Sequence, residues 1–135
     1  MRWTAQQYND YVSKNPDKPK KKSKYRNVKA MVDNIPFDSK AEAKFYLYLK
    51  ACGYKIELQP KFELQATFID NVGKKRKAIT YKADFQIGNV VIDVKGFRTD
   101  VFNLKEKLFR EKYPQYELWV GKYSELILKV NLLKL

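Results

Sequence analysis

Asp84 and Asp93 stand on either side of Gly88-Asn89, and Gly-Asn is a two-residue hairpin signal. Taken literally, that turn pairs residue 87 with 90, 85 with 92 and 84 with 93, and it sets Lys82 against Lys95. Side chains alternate along a strand, so these two acids and two lysines share one face. Ala83, Phe85, Ile92 and Val94 then form the opposite, core face. Two carboxylates directly across a strand pair repel at a cost of about 0.2–1 kcal/mol. A divalent cation between them is the natural compensation, and hard carboxylate oxygens suit Mg²⁺ or Mn²⁺. Glu42 offers a third carboxylate on the same helical stripe as Phe45, Tyr46 and Leu49. Ser39-Lys40-Ala41-Glu42 is also a capping box, and the local sequence alone favours that role. For Lys95 the simplest role is charge partner to Asp93 or Asp84.

The elements that must position these residues follow from periodicity. Thr4-Ala5-Gln6-Gln7, with Trp3 and Tyr8 as a staple, predicts a short helix over about residues 4–13. A basic linker follows, and together they make an N-terminal segment, residues 1–24, ahead of one domain over residues 25–135. Val28, Ala30 and Val32, then Asp33-Asn34 and Ile35-Pro36-Phe37, predict a small hairpin. Residues 39–52 form the clearest helix, capped by Asp38 or Ser39 and ended by Gly53. Residues 55–58 are short strand or loop. Phe62, Leu64, Ala66 and Phe68 predict one strand, Ile79 to Ile87 a second and Val90 to Lys95 a third. A helix over 100–112, capped by Thr99 or Asp100, precedes a strand over 116–120. Residues 123–135 are apolar enough to pack, with helix and strand both open. The expected fold is α/β, a mixed sheet flanked by helices.

Composition narrows the chemistry. In 135 residues there are 28 Lys plus Arg against 15 Asp plus Glu, a net charge of +13, and no His. Triads and zinc sites that need His are excluded. Cys52 is the only cysteine, so neither an internal disulfide nor a cysteine zinc cluster can form, as suits a reducing cytosol. No apolar run approaches the ~20 residues of a membrane span, and Met1-Arg2-Trp3-Thr4 lacks the apolar core of a signal peptide. The charge is concentrated. Residues 14–29, with Lys20, Lys21, Lys22, Lys24 and Arg26 among eight bases and one acid, carry +7, and Lys74, Lys75, Arg76 and Lys77 carry +4 at an expected loop tip. Such tracts either solubilise or address a protein, or they grip phosphates.

Glu in the first core helix, Asp on the second strand and Asp-x-Lys on the third, across one hairpin, resembles the layout of the PD-(D/E)XK nucleases. The likeness extends to a family of short phage-encoded, Holliday-junction-resolvase-like nucleases. It covers roughly residues 24–114, in the blocks Lys24-Tyr25-Arg26-Asn27, Phe37 to Ala43, Leu58 to Leu64, Ile79 to Phe85 and Asp93 to Phe97. Ala83 stands where the superfamily's name implies Pro, and Asp93 where Glu is commoner. The resemblance implies a restriction-endonuclease-like αβββαβ core and Mg²⁺-dependent hydrolysis of DNA phosphodiesters. Glu42, Asp84, Asp93 and Lys95 would be catalytic, and Asp84, Asp93, Glu42 and the Val94 carbonyl would be metal ligands. Lys82 and the two basic tracts would contact DNA. It further implies structure-selective cutting of branched DNA in phage recombination or packaging, a homodimer, and the cytoplasm of a phage-infected or prophage-bearing host. The rivals are a non-catalytic basic DNA-binding module, in which the acids are ordinary salt-bridge partners, and an RNA-binding protein, disfavoured because no sheet face is studded with aromatics.

Overall fold

In the computed structural model, residues 29–133 are described. The helix expected over 4–13 and the linker with Lys20, Lys21, Lys22, Lys24 and Arg26 lie outside them. Among the described residues the architecture is mixed α/β with three helices. A small hairpin comes first, β1 (Ala30–Val32) with β2 (Ile35–Phe37). Its turn residues Asp33 and Asn34 both have positive φ, the conformation a tight two-residue hairpin demands. Helix α1 (Lys40–Ala51) follows, with Ser39 Oγ accepting the Glu42 N–H at 3.1 Å.

The central sheet contains β3 (Glu57–Leu58), β8 (Phe85–Ile87), β9 (Val90–Val94) and β10 (Glu117–Gly121), in the order β10-β9-β8-β3. The hairpin register is the one the Gly88-Asn89 turn dictates, Phe85 on Ile92 and Ile87 on Val90. The β9–β10 pairing is parallel, so the sheet is mixed. The crossover between them is α2 (Asp100–Lys112), with Thr99 as its N-cap. Residues 123–135, left open by the sequence, supply α3 (Tyr123–Leu133). Its buried face, Leu126 and Val130, packs with Phe45 and Leu49 of α1 against Phe85, Ile92 and Val94. On the other side of the sheet, Phe102 and Phe109 of α2 pack with Phe62, Tyr81, Val91 and Leu118. Each such apolar side chain, fully buried, contributes roughly 1.5–3 kcal/mol.

Three expectations need correction. The strand expected over 79–87 is broken. It forms β7 (Ile79–Lys82) and β8, and the alternation changes face at Ala83-Asp84. Tyr81 and Ala83 lie in the core beneath α2, whereas Phe85 and Ile87 lie in the core beneath α1 and α3. The facing strand breaks at the same level, between β3 and β4 (Lys61–Gln65), where Gln59 has φ +48° and Pro60 has no N–H to give. Bonds from Gln59 N to Asp84 O (3.0 Å) and from Ala83 N to Pro60 O (3.1 Å) carry the pairing across the kink. Second, the strand from Phe62 does not reach Phe68. Phe62 and Leu64 are buried, but the core ends there, and Ala66 and Phe68 are exposed. Phe68 starts β5 (Phe68–Ile69), which pairs with β6 (Lys75–Arg76). The basic tract is thus part strand, with the turn at 70–74. Third, the core is not confined to the face of β9 that carries Ile92 and Val94, because the acid-bearing face is buried as well. α2 covers it, and Asp93 is 3% exposed. Among the described residues no helix is long and apolar enough to cross a membrane.

Candidate functional site

The kink at Ala83-Asp84 opens a cleft of about 780 Å³ at the carboxyl ends of β9 and β10. Its lining includes Glu42, Lys82, Asp84, Asp93, Val94 and Lys95. All four expected catalytic residues, all four expected ligands and Lys82 therefore meet in one place. Lys82 is not set against Lys95 by strand pairing, however, since its partner is Lys61 of β4. The β8–β9 ladder ends at Phe85 and Ile92, and both lysines reach the cleft from beyond it.

Each acid is held differently. Asp84 Oδ2 accepts the Val94 N–H at 2.8 Å. Asp93 Oδ2 accepts the buried Tyr81 hydroxyl at 2.5 Å, and Asp93 Oδ1 lies 3.4 Å from Lys95 Nζ. That ammonium also sits 4.2 Å from the centre of the Phe102 ring, a cation–π placement that fixes it beside the acids. Burial, then the charge of Asp93, then that of Glu42 push the Asp84 carboxyl well above the carboxylate range, against the pull of the Val94 N–H. Glu42 is pushed up to about 7, by burial first and then by Asp38 and Asp93. Hydrogen bonding from the Asp38 backbone and the Ser39 side chain pulls it the other way, as a capping box would. Capping and facing the acid pair are thus compatible, and Glu42 does both.

Three helix beginnings frame the same space. Asp38 and Ser39 precede α1, Thr99 caps α2, and Tyr123 and Ser124 open α3, all lining the cleft with Lys122. Unpaired N–H groups and the positive end of each helix dipole favour anions there. The cleft thus joins a crowded pair of carboxylates to lysines and helix ends that attract an anion.

A family described as "Protein of unknown function (DUF1064)" matches residues 22–127. The chain belongs to that family. No curated protein and no solved structure matches it. The DUF1064 match spans the whole cleft, from Asp38 to Ser124.

No three carboxylates or thiols among the described residues of this DUF1064 chain are gathered closely enough to hold a metal ion as a trio. The donor chemistry nevertheless fits a cation at Asp84 and Asp93. Two carboxylates held so close that they raise the proton affinity of Asp84 carry an excess of negative charge that one divalent ion would relieve. Sequence reasoning missed Tyr81, which it placed only as one position of the strand over 79–87, and Lys122, Tyr123 and Ser124, because residues 123–135 stayed open between helix and strand. The strand-then-Lys-Tyr-Ser junction after Gly121 was the available signal. Arg98, on the loop before α2, turns away to Glu106 at 2.7 Å. Lys74, Lys75, Arg76 and Lys77 lie apart from the cleft, on the β5–β6 hairpin.

Proposed function

We propose that this chain is a divalent-metal-dependent DNA endonuclease with a restriction-endonuclease-like core, selective for branched DNA. The observation that carries the reading is the acid pair Asp84–Asp93 sharing one cleft with Glu42, Lys82 and Lys95, beneath three helix N-termini. The order helix, three-strand meander, helix and parallel strand supports the same core. Asp84 and Asp93 would hold Mg²⁺ or Mn²⁺, with Glu42 joining through water and the Val94 carbonyl as a further ligand. When bound, such a cation polarises a phosphoryl oxygen and lowers the pKa of coordinated water.

The chain's own residues supply the rest. Lys95, steadied by Asp93 and the Phe102 ring, orients the attacking water and stabilises charge growing on the phosphoryl oxygens. Lys82, Lys122 and the helix N-termini bind the flanking phosphates. In the overall reaction the water oxygen bonds to phosphorus, one P–O ester bond breaks, and the leaving oxygen gains a proton as the water loses one. Cleavage in phage recombination or packaging, by a homodimer in the bacterial cytoplasm, is the setting this reading implies. A non-catalytic DNA-binding module gains nothing from acids buried beside its cations, since they repel the phosphates it must hold.

The test is incubation of the full chain with Mg²⁺ and a panel of linear, nicked, flapped and four-way DNA, beside Asp84→Ala. Cuts that need Mg²⁺, appear first on branched substrates and vanish in the variant are expected. Wild type that binds the panel and cuts none of it overturns the endonuclease in favour of the binding module.

A further inference from the structure

The β5–β6 hairpin stands off the core. From residue 66 to 77 every residue is exposed except Asp70. Two-stranded hairpins are marginal without a core, yet this one is internally tied. Asp70 Oδ1 accepts the N–H groups of Val72 (3.0 Å) and Lys74 (2.9 Å), and Oδ2 accepts from Arg76 Nε (2.9 Å). The Asp70 carbonyl takes the N–H of Gly73, whose positive φ suits the turn. At the base, Thr67 Oγ1 accepts the Ala78 N–H at 3.2 Å.

What this scaffold presents is unusual for a solvated loop. Val72 is 80% exposed and Ile69 72%, the most exposed large aliphatic side chains among the described residues, and Phe68 is 44% exposed. Beside them are Lys74, Lys75, Arg76 and Lys77, with Asp70 the single acid of residues 66–78. A charged loop kept only for solubility would not carry bare aliphatics at its tip. A partner that rewards both features offers phosphates and, between them, apolar faces that can be entered. Nucleic acid does so where a base step is open, because proteins wedge apolar side chains between base steps while cations hold the backbone.

The hairpin also has a fixed relation to the cleft. β6 runs through β7 to Lys82 on the cleft wall. The 12 residues from Val72 to Asp84 span at most about 40 Å, within reach along one DNA arm.

We infer that the β5–β6 hairpin is a DNA wedge, with Ile69 and Val72 entering an unstacked base step while Lys74, Lys75 and Lys77 hold the adjoining phosphates. The inference rests on the DNA reading of the cleft and names what would make that reading structure-selective. Entering a branch point, already unstacked, costs less than opening a continuous duplex, so the wedge confers preference for branches.

The test uses the full chain in EDTA, a four-way junction and a linear duplex of the same arm sequence, and 2-aminopurine placed at the branch. Wild type should bind the junction roughly tenfold or more tighter than duplex and raise the 2-aminopurine fluorescence. The double variant Ile69→Ser/Val72→Ser should lose that rise and bring the junction-to-duplex ratio to near one, with an unchanged melting temperature because both side chains are solvated. Lys74→Ala/Lys75→Ala/Lys77→Ala should weaken both substrates alike and reduce the salt slope by up to about 0.9 per lost contact. A serine variant that keeps the ratio, a wild type without branch preference, or a hairpin that binds anionic phosphatidylglycerol vesicles and not DNA overturns the wedge. Cleavage in Mg²⁺, measured in parallel, separates the two readings. Branch preference that depends on Ile69 and Val72 without any cleavage leaves the wedge standing and removes the endonuclease, whereas cleavage with an intact ratio in the serine variant removes only the wedge.

Discussion

Asp84 in the cleft and Asp70 in the β5–β6 hairpin are the same residue type under opposite conditions. Asp70 is half-buried among its donors on the exposed hairpin, and the N–H of Lys74, then the Arg76 guanidinium and the N–H of Val72, hold its carboxyl below the usual range. Asp84 is packed beside two other acids, and its carboxyl is pushed above that range. A carboxylate surrounded by donors is finished, because its charge is already answered and its work is to shape a turn. A carboxylate buried among like charges is unfinished, because little around it answers its charge. The contrast separates scaffold from site more sharply than residue type or sequence spacing does.

The largest effect should come from the acid pair, whose crowded charge a proton or a divalent cation would relieve. The folded protein holds protons on Asp84 and Glu42 more tightly than the unfolded chain does, with Glu42 near 7 against reference values of about 4. For acids with raised folded values, the stabilising contribution is complete below about pH 4 and is lost as pH rises through the folded values. The metal-free protein should therefore melt at progressively lower temperature from about pH 4 to about pH 8. Asp84→Asn keeps an oxygen for the Val94 N–H and removes the charge. It should flatten this slope and raise the metal-free melting temperature at pH 8 by a few degrees, the effect of about 1 kcal/mol in a domain of this size. Several millimolar Mg²⁺ should raise the melting temperature of wild type and move Asp93→Asn far less. Equal Mg²⁺ shifts in the two proteins would mean that Asp93 helps hold no cation, and the cleft would resemble the hairpin after all.

How much of this contrast was legible in the sequence depended on how local the signal was. The Gly88-Asn89 turn set the β8–β9 register, and with it the meeting of Asp84 and Asp93, because a two-residue turn leaves the pairing no freedom. Ser39 and Thr99 announced the starts of α1 and α2 through their own side-chain oxygens. The break at Ala83-Asp84 was not legible, because the run Ile79 to Ile87 alternates without interruption. The kink is set with the partner strand, where Pro60 lacks a donor and Gln59 takes a left-handed backbone. The burial of Asp93 was hidden because it comes from α2 folding back over β9 across residues 95–99, a packing contact that periodicity within either segment does not show. Helix α3 was missed because its apolar residues Leu126, Ile127, Leu128, Val130, Leu132 and Leu133 crowd too much of the helix surface for a clear period.

A smaller effect should follow from Tyr81, which bonds one acid of the pair and not the other. Its hydroxyl occupies Asp93 Oδ2 at 2.5 Å, leaving Oδ1 toward Lys95. Burial, then the Asp93 charge, in turn hold the phenol protonated well above its usual range, so it acts as a fixed donor. Tyr81→Phe retains the aromatic packing against Phe102 and Phe109 and removes only that donor. Supporting hydrogen bonds of this kind typically account for about 10- to 100-fold in metal affinity. The variant should therefore need about that much more Mg²⁺ or Mn²⁺ to reach half of the wild-type thermal shift, with DNA affinity in EDTA unchanged. An unaltered Mg²⁺ titration would place Tyr81 with the core and not with the site.

The smallest global effect belongs to the hairpin. Asp70→Ala removes the acceptor for Val72, Lys74 and Arg76 together, yet none of those groups reaches the core, and surface changes of this sort usually stay within about 0.5 kcal/mol. The melting temperature should hold, while the amides of Val72, Gly73 and Lys74 lose their protection from hydrogen exchange. The pH response should run opposite to that of the cleft. A carboxyl with a lowered folded value contributes order that is present above about pH 4 and is lost as pH falls through the folded value. In the wild type, acidification should loosen the hairpin amides only below about pH 4, after the cleft has gained its stability between about pH 8 and pH 4, and in Asp70→Ala that loosening should already be complete at neutral pH. Amides that stay protected in the variant would show that the turn at Gly73 and the β5–β6 pairing hold the hairpin without Asp70. The difference between a satisfied and an unsatisfied aspartate would then rest on the cleft alone.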